Sequence, residues 1–151
     1  MDKHDLIRSA GKVEPPSDEA ADEFSSKKEE ISLKQKKKMK EREDLEELIG
    51  DGNLSMLEDN LENMVDFFDS IFINYDPKVF VDNVHWVFRT YRSHGFRPEF
   101  WPVNLNTFVD IMDENLSEES FRELDKVLQW MIDHADEFIE LTEGYQKGEV
   151  K

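Results

Sequence analysis

The chain contains no cysteine among its 151 residues. Disulfides, thiolate metal sites and thiol catalysis are therefore excluded. No apolar run reaches the roughly 20 residues that a membrane span needs, and residues 1–10 lack the apolar segment of a signal peptide. These absences predict a cytoplasmic protein with no membrane partner.

Positive charge is also scarce. The 19 Lys and Arg residues are outnumbered by 36 Asp and Glu residues, which gives a formal net charge of −17. A nucleic-acid backbone needs cations to neutralise it, so this balance disfavours nucleic acid as a partner. It favours solubility and is compatible with a basic partner.

Aromatic residues are nearly missing from the first 50 residues, where Phe24 stands alone. Residues 1–25 have too few large apolar side chains to repay ordering, so we predict a disordered arm there. Residues 26–49 are rich in strong helix formers and predict a polar helix. Residues 50–144 are predicted to form one compact domain, followed by a polar tail over residues 145–151.

The apolar residues of the predicted polar helix are sparse, and its clearest anchor is formed by Leu45, Leu48 and Ile49. We expect the first half of this helix to project from the domain or to pair with a second copy, which predicts a homodimer. The basic run from Lys34 to Arg42 suggests nucleic-acid or membrane binding. The acidic residues on both sides favour a solvated helix face instead.

The strongest helix pattern lies between Asp76 and Gly95. Asp76 can cap the helix, Pro77 suits its first position, and Gly95 suits the residue just past its end. Between them, apolar residues recur at helical spacing: Phe80, Val84, Val87, Phe88 and Tyr91. So wide an apolar face predicts a central helix that is covered on more than one side, with Trp86 buried.

Three further helices are predicted in the same domain. One begins at Ser55 with a capping box closed by Glu58, one opens near Pro102, and the last runs from Ser117 to Gly144. No segment shows the two-residue alternation of a strand. We therefore predict an all-α bundle of about five helices.

We find no catalytic signature in the sequence. His85 follows Asp82 by three residues, which places both on one helix face, but the second pair of a metal site is missing. His85 is also the only reasonable proximal ligand for heme. We predict a non-enzymatic protein without metal or cofactor, and a heme or metal protein remains a minority alternative.

Aromatic residues are concentrated in one stretch: Phe80, Trp86, Phe88, Tyr91, Phe96, Phe100, Trp101 and Phe108. Their simplest role is to build a small core. The alternative is that they also line an apolar cavity between helices, where helical bundles hold ligands. In that case Trp86, Trp101 and Phe108 contact a fatty-acid-like ligand, and Arg89 and Arg92 meet its carboxylate.

The pattern from Asp76 onward resembles the heme-free, globin-like sensor domains at the N-termini of stressosome RsbR-type proteins and of some cobalamin-binding regulators. The matching features are the aspartate-started helix with Phe80, the step Val84-His85-Trp86, the end at His94-Gly95 and two following helices. His94 stands where an arginine is common in that family, and this sequence contains no STAS, kinase or cobalamin domain.

The resemblance implies a globin-like fold, dimerisation through N-terminal helices and a free-standing sensor or antagonist module. We therefore expect a non-catalytic regulatory domain that binds a small apolar ligand or a signalling protein. The alternative is a helical adaptor without a small ligand, which acts through its acidic surface or its basic N-terminal helix.

Overall fold

The structure is a computed structural model, and it describes residues 2–143. Within them lie eight helices and no strand: α1 (Lys3–Ala10), α2 (Asp18–Lys40), α3 (Leu45–Ile49), α4 (Leu54–Ile73), α5 (Pro77–Ser93), α6 (Phe100–Asn115), α7 (Glu118–Asp133) and α8 (Ala135–Leu141). The all-α prediction is confirmed, but eight helices replace the expected five or so. In the part of the chain described, no helix combines the length and apolar character that crossing a membrane requires.

The N-terminal segment is folded from Asp2 onward, so the prediction of a disordered arm over residues 1–25 is wrong. Asp2 caps α1, which packs against α5 and buries Leu6 and Ala10. The hydroxyl of Tyr75 donates a hydrogen bond to the carbonyl of Ala10 at 2.7 Å. The apolar residues of this segment are few, but they share one helix face, and that suffices to dock it.

Helix α2 is the centre of the fold and does not project from it, which corrects the role predicted for residues 26–49. It packs against α4, α6 and α7. Its buried residues are Ala20, Ala21, Phe24, Ile31, Gln35 and Met39. Two polar residues interrupt this face: Gln35 is fully buried, and the amino group of Lys28 reaches Asp66 and Asp69 on α4. These interruptions made the apolar pattern look too sparse for a core helix.

The residues predicted as a dimer seam are used within the chain. Leu48 and Ile49 lie on the separate helix α3 and are buried, and Leu45 packs partly buried against the core. The carbonyl of Leu48 accepts a hydrogen bond from the N–H of Arg97 at 2.8 Å. The seam that motivated the homodimer is therefore not on the surface.

The ends of α5 are as predicted, but its surroundings are not. The Asp76 carboxylate accepts from the backbone of Lys78, and Gly95 has a φ of 105°. Trp86, however, is 52% exposed, so the prediction of its burial is wrong. The closest backbone contacts of α5 are with α1 and α8, whereas α6 and α4 meet it through large side chains, as in the stacking of Trp101 on Phe88.

Two other predicted boundaries change. Helix α4 begins at Leu54, and Glu58 forms an ion pair with Lys40 on α2, so the capping box predicted at Ser55 does not form. The last predicted helix breaks at His134, where α7 ends and α8 begins. The predicted end of that helix at Gly144 and the tail over 145–151 lie outside the described residues.

Helices α2 and α7 cap each other through two glutamates. Ser17 and Ser117 are their N-cap residues. Glu123 of α7 accepts from the N–H and hydroxyl of Ser17 at 2.8 and 3.0 Å. Glu23 of α2 accepts from the N–H and hydroxyl of Ser117 at 2.6 and 2.8 Å. Because each carboxylate caps the other helix, the pair fixes an antiparallel crossing of α2 and α7.

Candidate ligand-binding cavity

A cavity of about 220 Å³ lies between α4, α5 and α6, and Met131 of α7 also contributes to its lining. Its position follows from the packing of α5, which is held by α1 and α8 and leaves space beside α4 and α6. The apolar and aromatic side chains around it are Met64, Phe67, Phe68, Val84, Trp86, Val87, Tyr91, Trp101, Leu105 and Met131. An engineered apolar cavity of roughly 150 Å³ binds benzene, and sites for drug-sized ligands begin near about 300 Å³. The size therefore suits a compact molecule of one or two rings.

Four asparagines also line the cavity: Asn60, Asn63, Asn83 and Asn104. Asn60 and Asn104 are 3% and 1% exposed. The Oδ1 atom of Asn60 is buried and has no hydrogen-bond partner in the described part of the chain. Native structures leave few buried polar atoms unpaired, so this oxygen requires an explanation.

Gln35 holds the side-chain amide of Asn104 in place through hydrogen bonds. The Nε2 atom of Gln35 donates to Asn104 Oδ1 at 2.7 Å and to the Asn104 carbonyl at 3.1 Å. Asn104 Nδ2 in turn donates to the sulfur of Met64 at 3.3 Å. A thioether sulfur is a weak acceptor, so the Nδ2 group of Asn104 that contacts Met64 lacks a strong hydrogen-bond acceptor.

The structure brings together two of the four predicted ligand-binding residues. Trp101 is buried in the lining and stacks on Phe88 with ring centroids 4.2 Å apart. Trp86 lines the cavity from its solvent side, as its 52% exposure shows. Phe108 is fully buried elsewhere in the core, 5.5 Å from Phe68 between ring centroids. Arg89 is half-buried and is not part of the lining.

The expected meeting of a ligand carboxylate with Arg89 or Arg92 inside the cavity therefore has no geometric basis, since neither lines it and Arg92 donates to the carbonyl of Ile139 at 2.9 Å. Among the described residues that line the cavity, none carries a charge. Burying a carboxylate without a cation is costly, so this lining favours an uncharged ligand over a fatty acid.

Sequence reasoning missed the two buried asparagines. Asn60 lies one turn from Leu57 and Met64 and so falls within the apolar stripe of α4. Asn104 similarly precedes Leu105 on the buried face of α6. An amide at a position that the helical period assigns to the core was the available signal.

The histidine candidate lies apart from the cavity. His85 is half-buried, and burial lowers its pKa, with further lowering by the charges of Lys3 and Arg89 against the opposing charge of Asp82. Asp82 forms ion pairs with Lys3 and Lys78, each at 2.7 Å. Across residues 2–143, no three His, Asp or Glu side chains form a group that could hold a metal ion.

Four of the six cations in the basic run from Lys34 to Arg42 are paired with acidic side chains. Lys36 pairs with Glu62 of α4, and Lys40 pairs with Glu58, which also lies on α4. Within the N-terminal part of the chain, Lys34 pairs with Glu30 at 3.0 Å, and Arg42 pairs with Asp44 at 2.8 Å. These pairs agree with the interpretation of a solvated face, although α4 rather than neighbouring sequence supplies two of the partners.

The cavity offers ring surfaces and amide groups, and its described lining contains no carboxylate, imidazole or amine. Such a lining can bind and orient a compact molecule, and the phenol of Tyr91 is the ionisable side chain within its described part. Comparisons of the chain with models of protein families, with curated proteins and with solved structures found no match. The cavity is therefore the structural feature from which a function can be inferred.

Proposed function

We propose that this protein is a non-catalytic regulatory domain that senses a small apolar ligand in the cavity between α4, α5 and α6. The observation that carries the proposal is a cavity of about 220 Å³ surrounded by apolar and aromatic side chains. A ligand of matching size gains the burial of its apolar surface and the contacts that an empty cavity lacks.

The position of the cavity suggests how binding is signalled. Helix α5 has its closest backbone contacts with α1 and α8, and it meets α4 and α6 through ring contacts such as Phe80 with Phe67 and Phe88 with Trp101. A ligand in the cavity contacts all three helices at once and adds to the ring contacts that already join α5 to α4 and α6. Trp86, half exposed on α5 and in contact with the same cavity, is the side chain through which a partner senses this change.

In this proposal the protein is a globin-like sensor that acts in the cytoplasm on a signalling protein. An all-helical chain with a cavity between helices is consistent with the resemblance to heme-free globin-like sensor domains. The regulatory role is inferred from the resemblance, and the ligand-binding site is inferred from the cavity.

Calorimetric titration with toluene and indole tests the proposal. We expect saturable binding to the unmodified protein and a higher melting temperature at saturation, because a ligand that binds only the folded state stabilises it. The variant Val87→Phe places a ring into the cavity lining and should abolish binding. Val109→Phe, at a half-buried position of α6 outside the lining, is the matched control and should bind normally. Flat titrations of the unmodified protein at millimolar probe concentration would refute the sensor site.

The second candidate is a helical adaptor without a small ligand. Three large apolar side chains near α5 support it, since Ile73, Val79 and Trp86 are 57%, 47% and 52% exposed. Exposed apolar residues of this kind often mark protein contacts. An adaptor should bind none of the probes, so the same titration separates the two candidates.

A further inference from the structure

The cavity has a polar end built from two buried amides. Met64 lies one helical turn after Asn60 on α4, and its sulfur contacts Asn104 Nδ2 at 3.3 Å. Asn60 and Asn104 both line the cavity, and Met64 lies next to each of them, along α4 from Asn60 and in contact with Asn104. Gln35 fixes the Asn104 amide through a 2.7 Å hydrogen bond, so this group is already oriented.

The two amides have complementary unused capacity. Asn60 Oδ1 is a buried acceptor without a donor in the described part of the chain. Asn104 Nδ2 is a donor whose one partner on the cavity side is a thioether sulfur. An amide carries two donor hydrogens and an oxygen with two lone pairs, so both groups can take one more strong hydrogen bond.

We infer that the cavity selects an uncharged ring compound that carries an N–H group beside a carbonyl, as in a lactam. This inference deepens the proposed function and rests on it. Asn60 Oδ1 has almost no accessible surface in the ligand-free structure, so the Asn60 amide turns on binding to accept from the N–H of the ligand, while the ligand carbonyl accepts from Asn104 Nδ2. The ring lies against the apolar lining that includes Val84, Trp101 and Leu105.

Other ligand classes fit this end of the cavity less well. A carboxylate or an ammonium group would lack a countercharge, because no charged residue lines the cavity in the described structure. A purely apolar ligand would leave the buried Asn60 oxygen without a donor, which is costly for a buried acceptor. The lactam edge satisfies both amides at once.

Titrations with four small probes test the inference: 2-pyridone, N-methyl-2-pyridone, toluene and benzoate. We expect 2-pyridone to bind at least about tenfold more tightly than N-methyl-2-pyridone, because methylation removes the donor that Asn60 requires. Benzoate should bind more weakly than toluene. These comparisons use the unmodified chain and do not depend on any variant folding.

The variant Asn60→Leu then locates the preference. It should lower the affinity for 2-pyridone by about tenfold, while toluene still binds within about threefold of its original affinity. The matched control is Asn106→Leu, an exposed amide of α6 that bonds to the Pro102 carbonyl of its own helix. This control should leave both affinities unchanged.

The outcomes separate this inference from the proposed function. Equal binding of 2-pyridone and its N-methyl derivative, or a preference that survives in Asn60→Leu, would overturn the lactam inference and leave the apolar sensor site standing. An ordered water that stays on Asn60 Oδ1 in crystals soaked with 2-pyridone would overturn it as well. Absence of binding by all four probes would remove the sensor site and the inference together.

Discussion

The contrast between Trp86 and Trp101 shows how exposure decides what an aromatic side chain contributes. Trp101 is 3% exposed and stacks on Phe88, whereas Trp86 is 52% exposed. We predict that Trp101→Ala lowers the free energy of unfolding by about 3–5 kcal/mol. Trp86→Ala should cost under about 1 kcal/mol, because surface substitutions remove little packing. Urea denaturation of both variants measures the difference, and equal losses would contradict the placement of Trp86.

Asn60 is expected to reduce stability in the absence of ligand. Its Oδ1 atom is buried without a partner in the described part of the chain, and such an orphan group costs about 1–3 kcal/mol. The variant Asn60→Leu, which keeps a similar side-chain volume, should therefore raise the free energy of unfolding by about 1 kcal/mol. Chemical denaturation of the ligand-free protein checks this. A clear loss of stability would show that the amide is satisfied in the apo state.

At the scale of helices, the mutual capping of α2 and α7 predicts a dependence of stability on pH. The Ser117 backbone N–H lowers the pKa of Glu23 below its ordinary value of 4.5, with help from the hydroxyls of Ser117 and Ser120 and the charge of Lys27, while partial burial opposes them. A carboxylate whose folded-state pKa is depressed stabilises the fold fully above its ordinary pKa. That contribution is lost as the pH falls toward the depressed value.

The variant Glu23→Gln tests this linkage. We expect it to cost about 1 kcal/mol of unfolding free energy at pH 7, a typical value for a lost helix cap, and less as the pH falls below about 4.5. Glu19→Gln, at an exposed position in the first turn of the same helix, serves as the control. A cost for Glu23→Gln that stays constant from pH 7 to pH 3 would exclude the carboxylate as the source of the stabilisation.

Helix α1 makes a second prediction at this scale. Leu6 is fully buried, so Leu6→Ala should lower the free energy of unfolding by about 2–5 kcal/mol. Leu33→Ala, at a position of α2 that is 68% exposed, should change it by less than about 0.5 kcal/mol. If both variants unfold at the same urea concentration as the unmodified protein, α1 is not docked on α5.

At the scale of the whole molecule, the helix caps and turns could be predicted from the sequence, but the way in which the helices pack could not. Residues adjacent to each helix end form the caps at Asp76 and Ser117 and the turn at Gly95. A short stretch of sequence is therefore enough to predict each of them. The central role of α2 depends on partners far along the chain. Gln35 lies in the core with its Nε2 atom bonded to Asn104, while its Oε1 atom has no partner in the described part of the chain.

The cavity illustrates the same limit. Trp86 and Trp101 could be selected from the aromatic density of the sequence, and both line it. Phe108 belongs to the same aromatic-rich stretch and Arg89 lies on the same helix as Trp86, but neither lines the cavity. The packing of α5 and α6 sets the direction of each side chain, and the sequence does not show that packing. The position of α5 depends on its packing against α1 and α8, and the predicted disorder of residues 1–25 left out the contact with α1.

The most direct test of the account is an NMR titration of the ¹⁵N-labelled protein with 2-pyridone. A ligand in the cavity should shift the backbone amide resonances around Asn60 to Phe68, Asn83 to Tyr91 and Trp101 to Leu105, because these residues surround the site on three helices. The side-chain amide resonances of Asn60 and Asn104 should shift as well. The account predicts that these changes saturate together with one dissociation constant. Unchanged spectra at millimolar 2-pyridone, or shifts confined to surface residues away from α4, α5 and α6, would contradict it.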